Sequence, residues 1–134
     1  MRILIADHEQ TVRSALRLVV RELTACAIAE PDSSLAVIEA ADAATVLAAL
    51  RRDDCQLLLL DWELPGMNAA ELAQRVRRLS PGCLIVAMSG RAHGVPADRR
   101  AAVDAFVSKN DPPDELIRLI VQRLPQETAT AGNP

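Results

Sequence analysis

The sequence predicts an α/β protein, a doubly wound five-stranded parallel sheet with helices on both faces. Five short apolar runs lack polar alternation, which is typical of strands that are buried on both faces of a sheet. The runs are RILIA (2–6), LAVIEA (35–40), QLLLLD (56–61), CLIVAMS (83–89) and AFVSK (105–109). Helical patterns separate them, and this alternation specifies parallel strands joined by helical crossovers.

The first crossover carries an amphipathic pattern. Its apolar side chains recur at helical spacing, so one stripe of the helix packs on the sheet. They are Val12, Ala15, Leu16, Val19, Val20 and Leu23. The helix is predicted to continue through Ile28 until Pro31 stops it, because a residue before proline is pushed out of the helical region. The arginines of another face are interpreted as solvated, with a docking surface for a partner helix as the alternative. They are Arg13, Arg17 and Arg21.

Capping residues predict the second and third helices. Asp42 can accept a backbone N–H at the start of a helix that runs to about Arg52. Asn68, with Glu71 three residues later, can cap a helix that runs to Leu79.

Prolines mark the start of the last two helices. Pro96 and Pro112 each fit a first helical turn, where the missing backbone N–H costs nothing. Asp111 is expected to cap the fifth helix, which ends before Pro125.

Length and composition predict one soluble domain. The chain has 134 residues, half of them apolar, and a net charge of -3, so we expect a single domain over residues 1–124. The polar tail, 125–134, is predicted to be disordered. The mild acidity argues against direct nucleic-acid binding, and no apolar run approaches the roughly 20 residues that span a bilayer. Cys26, Cys55 and Cys83 lack paired spacing, which indicates reduced core residues and a cytoplasmic location.

Reactive side chains stand at the carboxyl ends of four predicted strands. The first strand delivers Asp7, the third Asp61, the fourth Ser89 and the fifth Lys109. Function in such sheets gathers beyond these ends, where the strand order reverses. With the order 2-1-3-4-5, Asp7 and Asp61 converge, and two adjacent carboxylates repel each other unless a cation lies between them. Their oxygen ligands favour a hard divalent ion, and Mg²⁺ is the natural candidate.

This arrangement is suited to phosphoryl transfer. The Asp61 carboxylate can attack phosphorus while Mg²⁺ and Lys109 neutralise charge on the phosphoryl oxygens. Ser89 can then bond to a phosphoryl oxygen.

Four motifs occur together in the order ILIADHE, LLLLDWELPGMN, IVAMSG and AFVSK. Through them, residues 1–124 resemble the response-regulator receiver domains of two-component signalling, the CheY-like superfamily with a flavodoxin-like (βα)5 fold. The resemblance implies that Asp61 accepts a phosphoryl group from a sensor histidine kinase or a phosphotransfer protein. It also implies that Asp7 helps to hold Mg²⁺.

The resemblance implies roles for further positions. The backbone carbonyl of Glu63 matches a metal ligand, and its side chain stands at a position that influences dephosphorylation. Ser89 matches the switch hydroxyl, and Lys109 matches the family's lysine. Phe106 matches the aromatic residue that rotates inward on phosphorylation. Asn110 departs from the pattern, because a proline commonly follows the lysine.

The output expected from the resemblance is a surface formed by the fourth helix, the fifth strand and the fifth helix. This surface would contact a downstream protein, or an output domain that these residues do not include, and homodimerisation through it is a further hypothesis. No conventional enzyme activity is implied beyond autophosphorylation and autodephosphorylation.

His8 departs from the family pattern at the second acidic position, where the family has a carboxylate that binds Mg²⁺. Imidazole serves Mg²⁺ poorly. In one interpretation Glu9 supplies the missing oxygen, or Asp7 and Asp61 hold Mg²⁺ weakly without it. In another, protonated His8 replaces the ion and the domain is a phosphorylation-independent pseudo-receiver. In a third, His8 attracts a softer ion such as Mn²⁺ or Zn²⁺.

The sequence lacks the motifs that would indicate other functional classes. A flavin site of the same topology needs a glycine-rich phosphate loop after the first strand, and ADHEQT is acidic and glycine-free. The dinucleotide fingerprint and the P-loop are both absent from the sequence, which disfavours an enzyme acting on a free substrate. Trp62 is interpreted as a surface aromatic beside the site rather than a cofactor platform.

Overall fold

The computed structural model describes residues 1–27, 36–90, 102–110 and 112–123. Several predictions from the sequence lie outside the described residues. They are the helix stop at Pro31, the fourth helix at Pro96, the Asp111 cap, the end of the fifth helix before Pro125 and the disordered tail 125–134; the side chain of Cys26 is also outside.

Five strands form one parallel sheet in the order β2-β1-β3-β4-β5, which confirms the predicted fold class and strand order. Their bounds fall within one residue of the predicted runs. They are β1 (Arg2–Ala6), β2 (Ala36–Ala40), β3 (Leu57–Asp61), β4 (Leu84–Ser89) and β5 (Ala105–Ser108).

The described residues form four helices. They are α1 (Gln10–Ala27), α2 (Ala43–Arg52), α3 (Ala69–Leu79) and the last helix (Asp114–Arg123). Two of the three predicted caps lie within the described residues, and both are confirmed. The Asp42 carboxylate accepts the Thr45 N–H at 2.8 Å, and the Asn68 side-chain oxygen accepts the Ala70 N–H at 2.9 Å. Among the helices described here, none has the length and hydropathy that crossing a bilayer requires.

The start of the last helix corrects one prediction. The helix begins at Asp114, so Pro112 does not lie in its first turn. The reason is Pro113, because the residue before a proline is driven away from helical backbone angles. The Pro113 carbonyl instead accepts the Ile117 N–H at 2.8 Å and opens the helical hydrogen-bond pattern.

Two apolar layers sandwich the sheet, and β3 supplies both of them. Leu58 and Leu60 pack in the layer that contains α2 and α3, whereas Leu57 and Leu59 pack in the layer that contains α1 and the last helix. All four leucines are fully buried, and each stabilises the fold by about 1.5–3 kcal/mol. This central strand carries Asp61 into the interior at its carboxyl end, and the apolar burial offsets the cost of holding a charge there.

Candidate functional site

The four strand ends converge as the sheet order requires. Asp7 follows β1, Asp61 ends β3, Ser89 ends β4, and Lys109 follows β5. The side chains of Asp7 and Asp61 are fully buried, although both are charged types. Buried carboxylates require partners, so the contacts of these two residues define the site.

Lys109 lies between the two carboxylates. Its Nζ is 2.9 Å from Asp7 Oδ2 and 3.1 Å from Asp61 Oδ1. Burial alone would lower the pKa of Lys109, but the bonds to the two carboxylates outweigh burial and raise this pKa. The lysine is therefore charged, and it neutralises one of the two negative charges.

The backbone beside Lys109 is fixed although Asn110 stands where the family commonly has proline. The Lys109 N–H donates to the Ser89 carbonyl at 2.8 Å. The Asn110 amide donates to the Gly90 carbonyl at 2.9 Å. Both bonds attach the end of β5 to the end of β4, and the lysine side chain reaches the site from there.

Asp61 accepts three hydrogen bonds from different directions. His8 Nδ1 lies 2.6 Å from Oδ2, while the Glu63 N–H and Lys109 Nζ bond to Oδ1 at 3.0 and 3.1 Å. Burial raises the pKa of Asp61, but the bonds from His8, Glu63 and Lys109 together hold this pKa below the usual range. Asp61 is therefore an anionic carboxylate, which is the form that can act as a nucleophile.

His8 is the second basic group of the site. Its hydrogen bond to Asp61 raises the pKa of His8, desolvation acts against this, and the charges of Asp61, Asp7 and Glu9 raise it further. Nδ1 also lies 3.7 Å from Asp7 Oδ1, while 44% of the side chain remains exposed. The imidazole thus contacts both buried carboxylates while nearly half of it faces solvent.

Glu9 contacts the cluster from its rim. Its N–H donates to Asp7 Oδ1 at 2.9 Å, and its half-exposed carboxylate lies 3.8 Å from His8 Nε2. The ligand atoms that lie within 4.8 Å of one another belong to Asp7, His8 and Asp61. The Glu9 carboxylate is not a member of that group.

The donor set can hold a divalent cation. Two carboxylates provide hard oxygen ligands, which suit Mg²⁺, and the Glu63 backbone follows directly in the turn after β3. Lys109 balances one of the two buried carboxylate charges, and either a protonated His8 or a bound cation can balance the other. The imidazole is the ligand that Mg²⁺ accepts least readily, so the residues fit the ion in part.

Ser89 and Glu63 form a contact that sequence reasoning missed. The buried Ser89 hydroxyl donates to Glu63 Oε2 at 2.8 Å. From the sequence, the Glu63 side chain was expected to influence dephosphorylation, but no contact with Ser89 was predicted. An acidic side chain two residues after Asp61, facing a strand-end hydroxyl, was the available signal.

Phe106 and Trp62 form an aromatic pair. Their ring centroids are 5.1 Å apart with an interplanar angle of 66°, an edge-to-face arrangement. Both rings are partly buried and pack against the layer of α2 and α3. Trp62 is therefore coupled to Phe106, and it is more than a surface aromatic beside the site.

Arg13 supports the site from α1, where the sequence analysis expected a solvated face. Its Nη1 donates to the Asp7 carbonyl at 2.8 Å, and its Nε donates to Glu39 Oε1 at 3.1 Å. Arg17 bonds to the other Glu39 oxygen at 3.1 Å. The signal in the sequence was Glu39, a lone acid in the apolar run of β2.

Comparisons with known proteins agree with this architecture. A family model described as response regulator receiver domain matches residues 3–121. An uncharacterized 14.6 kDa protein from Leptolyngbya boryana is 32% identical over 126 residues, which cover 91% of this chain and 88% of that protein. The chemotaxis protein CheY of Pseudomonas aeruginosa is 31% identical over 114 residues, covering 81% of this chain and 84% of CheY.

A solved structure has the same fold. The response regulator TrrA of Thermotoga maritima, in complex with Mg²⁺-BeF, superposes with a TM-score of 0.74 at 24% identity, covering 92% of this chain and 98% of TrrA. TrrA in complex with the histidine kinase ThkA gives a TM-score of 0.73. With the family model spanning most of the chain, the protein belongs to the response regulator receiver domains of two-component signalling.

Proposed function

We propose that this receiver domain accepts a phosphoryl group on Asp61 from a sensor histidine kinase or a phosphotransfer protein. The observation that carries the proposal is the lysine bridge, in which Lys109 Nζ contacts both Asp7 and Asp61. The bridge keeps Asp61 anionic and places a fixed positive charge beside the oxygen that would attack. Such preorganised charge is the main way in which proteins accelerate phosphoryl transfer.

The transfer forms one bond and breaks another. An Asp61 oxygen bonds to phosphorus as the phosphorus–nitrogen bond of the donor phosphohistidine breaks, and the imidazole of the donor leaves with the electron pair. Before Oδ2 can attack, His8 must release it, and before Oδ1 can attack, Lys109 must shift. Lys109 can then bond to the phosphoryl oxygens, whose charge replaces that of the carboxylate.

A divalent cation, when bound, supplies further positive charge beside the phosphoryl oxygens. Asp7, Asp61 and the Glu63 carbonyl are the oxygen ligands that we propose for Mg²⁺. Glu9 is an alternative oxygen source, because its carboxylate stands next to His8 at the rim of the site.

We further propose that Ser89 and Phe106 transmit the modification. Ser89 would exchange its Glu63 partner for a phosphoryl oxygen, and Phe106 would change its packing on Trp62. The proposed output surface comprises β5, the last helix and the predicted fourth helix, through which the domain would act on a cytoplasmic downstream protein. We propose no other enzyme activity.

Intact mass after incubation with acetyl phosphate tests the acceptor. We expect the protein to gain one phosphoryl group with Mg²⁺, and the Asp61→Asn variant to gain none. Trp62 fluorescence should change with the same time course, because the indole adjoins Asp61 and contacts Phe106. A phosphoryl group retained in Asp61→Asn would contradict the assignment of the acceptor.

The pseudo-receiver is the second candidate, and the His8 contact favours it. An imidazole 2.6 Å from Asp61, with a raised pKa, already provides a positive charge next to the carboxylate. In that case no metal ion or donor would give a mass gain in the folded protein. His8→Asp would then restore phosphorylation, whereas a working receiver is modified with His8 in place.

A further inference from the structure

The site that holds Asp61 contains a nitrogen ligand among its oxygens. Asp7 and Asp61 contribute carboxylates, and His8 contributes an imidazole whose Nδ1 faces both of them at 3.7 and 2.6 Å. We propose that this trio binds a divalent first-row transition ion, of the Mn²⁺ to Zn²⁺ series, in preference to Mg²⁺. The inference rests on the proposed receiver site and specifies which ion it takes.

The geometry needs little rearrangement. One ligand atom from each residue lies within 4.8 Å of the other two, whereas two ligands about 2.1 Å from one ion are at most about 4.2 Å apart. His8 Nδ1 is 3.7 Å from Asp7 Oδ1 and 2.6 Å from Asp61 Oδ2, so the partly exposed imidazole would move slightly away from Asp61 to admit an ion. The carboxylates are already fixed by Lys109 and by the Glu9 and Glu63 N–H groups.

The charges also favour an ion. Asp7 and Asp61 are fully buried, and Lys109 neutralises one of their two charges. A metal bound by a neutral imidazole would replace the proton that His8 now shares with Asp61. With the single charge of Lys109 and the two charges of the ion against two carboxylates, the site would carry one excess positive charge.

The chemistry of the donors decides between ions. Mg²⁺ demands oxygen ligands and gives up its water shell reluctantly, so exchanging a carboxylate for an imidazole weakens its binding. Ions from Mn²⁺ to Zn²⁺ accept imidazole readily, and their affinities for mixed nitrogen and oxygen sites generally rise from Mn²⁺ to Cu²⁺ and fall again at Zn²⁺. His8 therefore lowers the affinity of the site for Mg²⁺ and preserves its affinity for the ions from Mn²⁺ to Zn²⁺.

The surroundings of His8 suit a metal ligand. The Glu9 carboxylate lies 3.8 Å from Nε2, on the side of the ring opposite Asp61. A carboxylate that accepts a hydrogen bond from the outer nitrogen orients a ligating imidazole and makes the inner nitrogen more basic, and the half-exposed Glu9 side chain would form that bond by moving closer than its present 3.8 Å. Arg13, through its bond to the Asp7 carbonyl, fixes the backbone that leads into His8.

Direct ion binding tests the proposal without any phosphoryl donor. Titrations of the full chain with Mg²⁺, Mn²⁺ and Zn²⁺ would be followed by calorimetry and by Trp62 fluorescence, since Trp62 is the only tryptophan. Broadening of backbone amide signals by Mn²⁺ would locate the ion. The variants are His8→Asp, which restores an oxygen, and His8→Asn, which removes the imidazole. His93→Gln, at the only other histidine, is the matched control.

We expect Mn²⁺ and Zn²⁺ to bind more tightly than Mg²⁺ in the wild type and in His93→Gln, with broadening centred on residues 7–9 and 61–63. His8→Asp should shift the affinity ratio towards Mg²⁺ by about tenfold or more, and His8→Asn should lose the Zn²⁺ preference. The inference is overturned if the ratio is the same in all His8 variants, if His93→Gln abolishes Zn²⁺ binding, or if no ion binds the wild type.

The outcomes separate this inference from the proposed function. Phosphorylation of Asp61 with an ion preference that is independent of His8 would overturn the inference and leave the acceptor role intact. A His8-dependent preference without any phosphorylation of Asp61 would support the inference and contradict the acceptor role.

Discussion

The two ends of the central sheet both bury polar groups, but they satisfy them in different ways. At the amino end, the Ser80 hydroxyl donates to the Cys55 carbonyl at 3.1 Å and accepts the Cys55 N–H at 3.3 Å. The Cys83 N–H donates to the Ser80 carbonyl at 3.0 Å. At the carboxyl end, two buried carboxylates share one lysine and one partly exposed histidine.

This difference indicates that the amino end of the sheet has a structural role and that the carboxyl end can react. The Ser80 hydroxyl and its backbone partners are neutral, and no other partner would stabilise them more. The hydrogen bonds at the amino end therefore hold α3 against β3 and β4. Charged groups held by other charges can accept a phosphoryl oxygen or a cation in place of a present partner. Substitutions at the amino end should therefore change stability, and substitutions at the carboxyl end should change chemistry.

The largest effect is expected from Lys109→Met. The variant removes the only lysine of the chain and with it the charge that bridges Asp7 and Asp61. We expect the rate of phosphorylation by acetyl phosphate to fall by about 100-fold or more, as when one preorganised donor is removed. Intact mass over time measures the rate, and circular dichroism monitors the fold. A rate within a few-fold of wild type would contradict the role of the lysine bridge.

Ser80→Ala tests the other side of the comparison. It leaves the buried N–H and carbonyl of Cys55 without their hydroxyl partner, which costs about 1–3 kcal/mol in free energy of unfolding. Urea denaturation measures this cost, and Ser14→Ala, on the exposed side of α1, is the control with a change below about 0.5 kcal/mol. Phosphorylation of the Ser80→Ala variant should proceed at the wild-type rate. A slower rate would contradict the separate roles of the two ends of the sheet.

Arg13→Gln asks whether the reactive end depends on its support from α1. Loss of the bond to the Asp7 carbonyl should weaken divalent-ion binding by about tenfold, because outer groups orient the ligands. Arg17→Gln is the matched control, since Arg17 also bonds to Glu39 but reaches the Val37 carbonyl instead. Equal affinities in the two variants, measured by calorimetry, would show that Arg13 has no special part in positioning Asp7.

The smallest effect is expected in the pH dependence of stability. The folded pKa of His8 is raised above its unfolded value of about 6.5, so its contact with Asp61 stabilises the fold fully below that pH. The stabilisation is lost as the pH rises through the folded pKa. In the presence of a chelator, the stability difference between wild type and His8→Gln should therefore shrink above pH 6.5. A difference that grows with pH would contradict the charged contact.

Sequence reasoning predicted the backbone of this protein better than its side-chain contacts. Continuous apolar runs fixed β1 and β3, and with them the positions of Asp7 and Asp61, because burial on two faces leaves a recognisable pattern. The capping roles of Asp42 and Asn68 depend only on neighbouring residues, so the sequence predicted them equally well. Pro112 was misplaced because Pro113 was not considered.

Side-chain contacts of the site were predicted only in part. A contact of His8 with Asp61 was one of the alternatives that the sequence left open, and the structure contains it at 2.6 Å. The Ser89–Glu63 bond was not predicted, because it joins residues 26 positions apart and depends on side-chain rotamers that periodicity does not encode. Arg13 looked like one of several arginines on a solvated face. Only its position next to Glu39 in the folded sheet distinguishes it.

The hydrogen bond between Ser89 and Glu63 has a consequence for signal fidelity. A hydroxyl bonded to a carboxylate is held by about 1.5–3 kcal/mol, so the Ser89–Glu63 bond would be broken in roughly one molecule in ten to one in 150 without a signal. Under the proposed switch, this fraction sets the background output of an unstimulated cell. A substitution at Glu63 would raise that background without any change in the kinase.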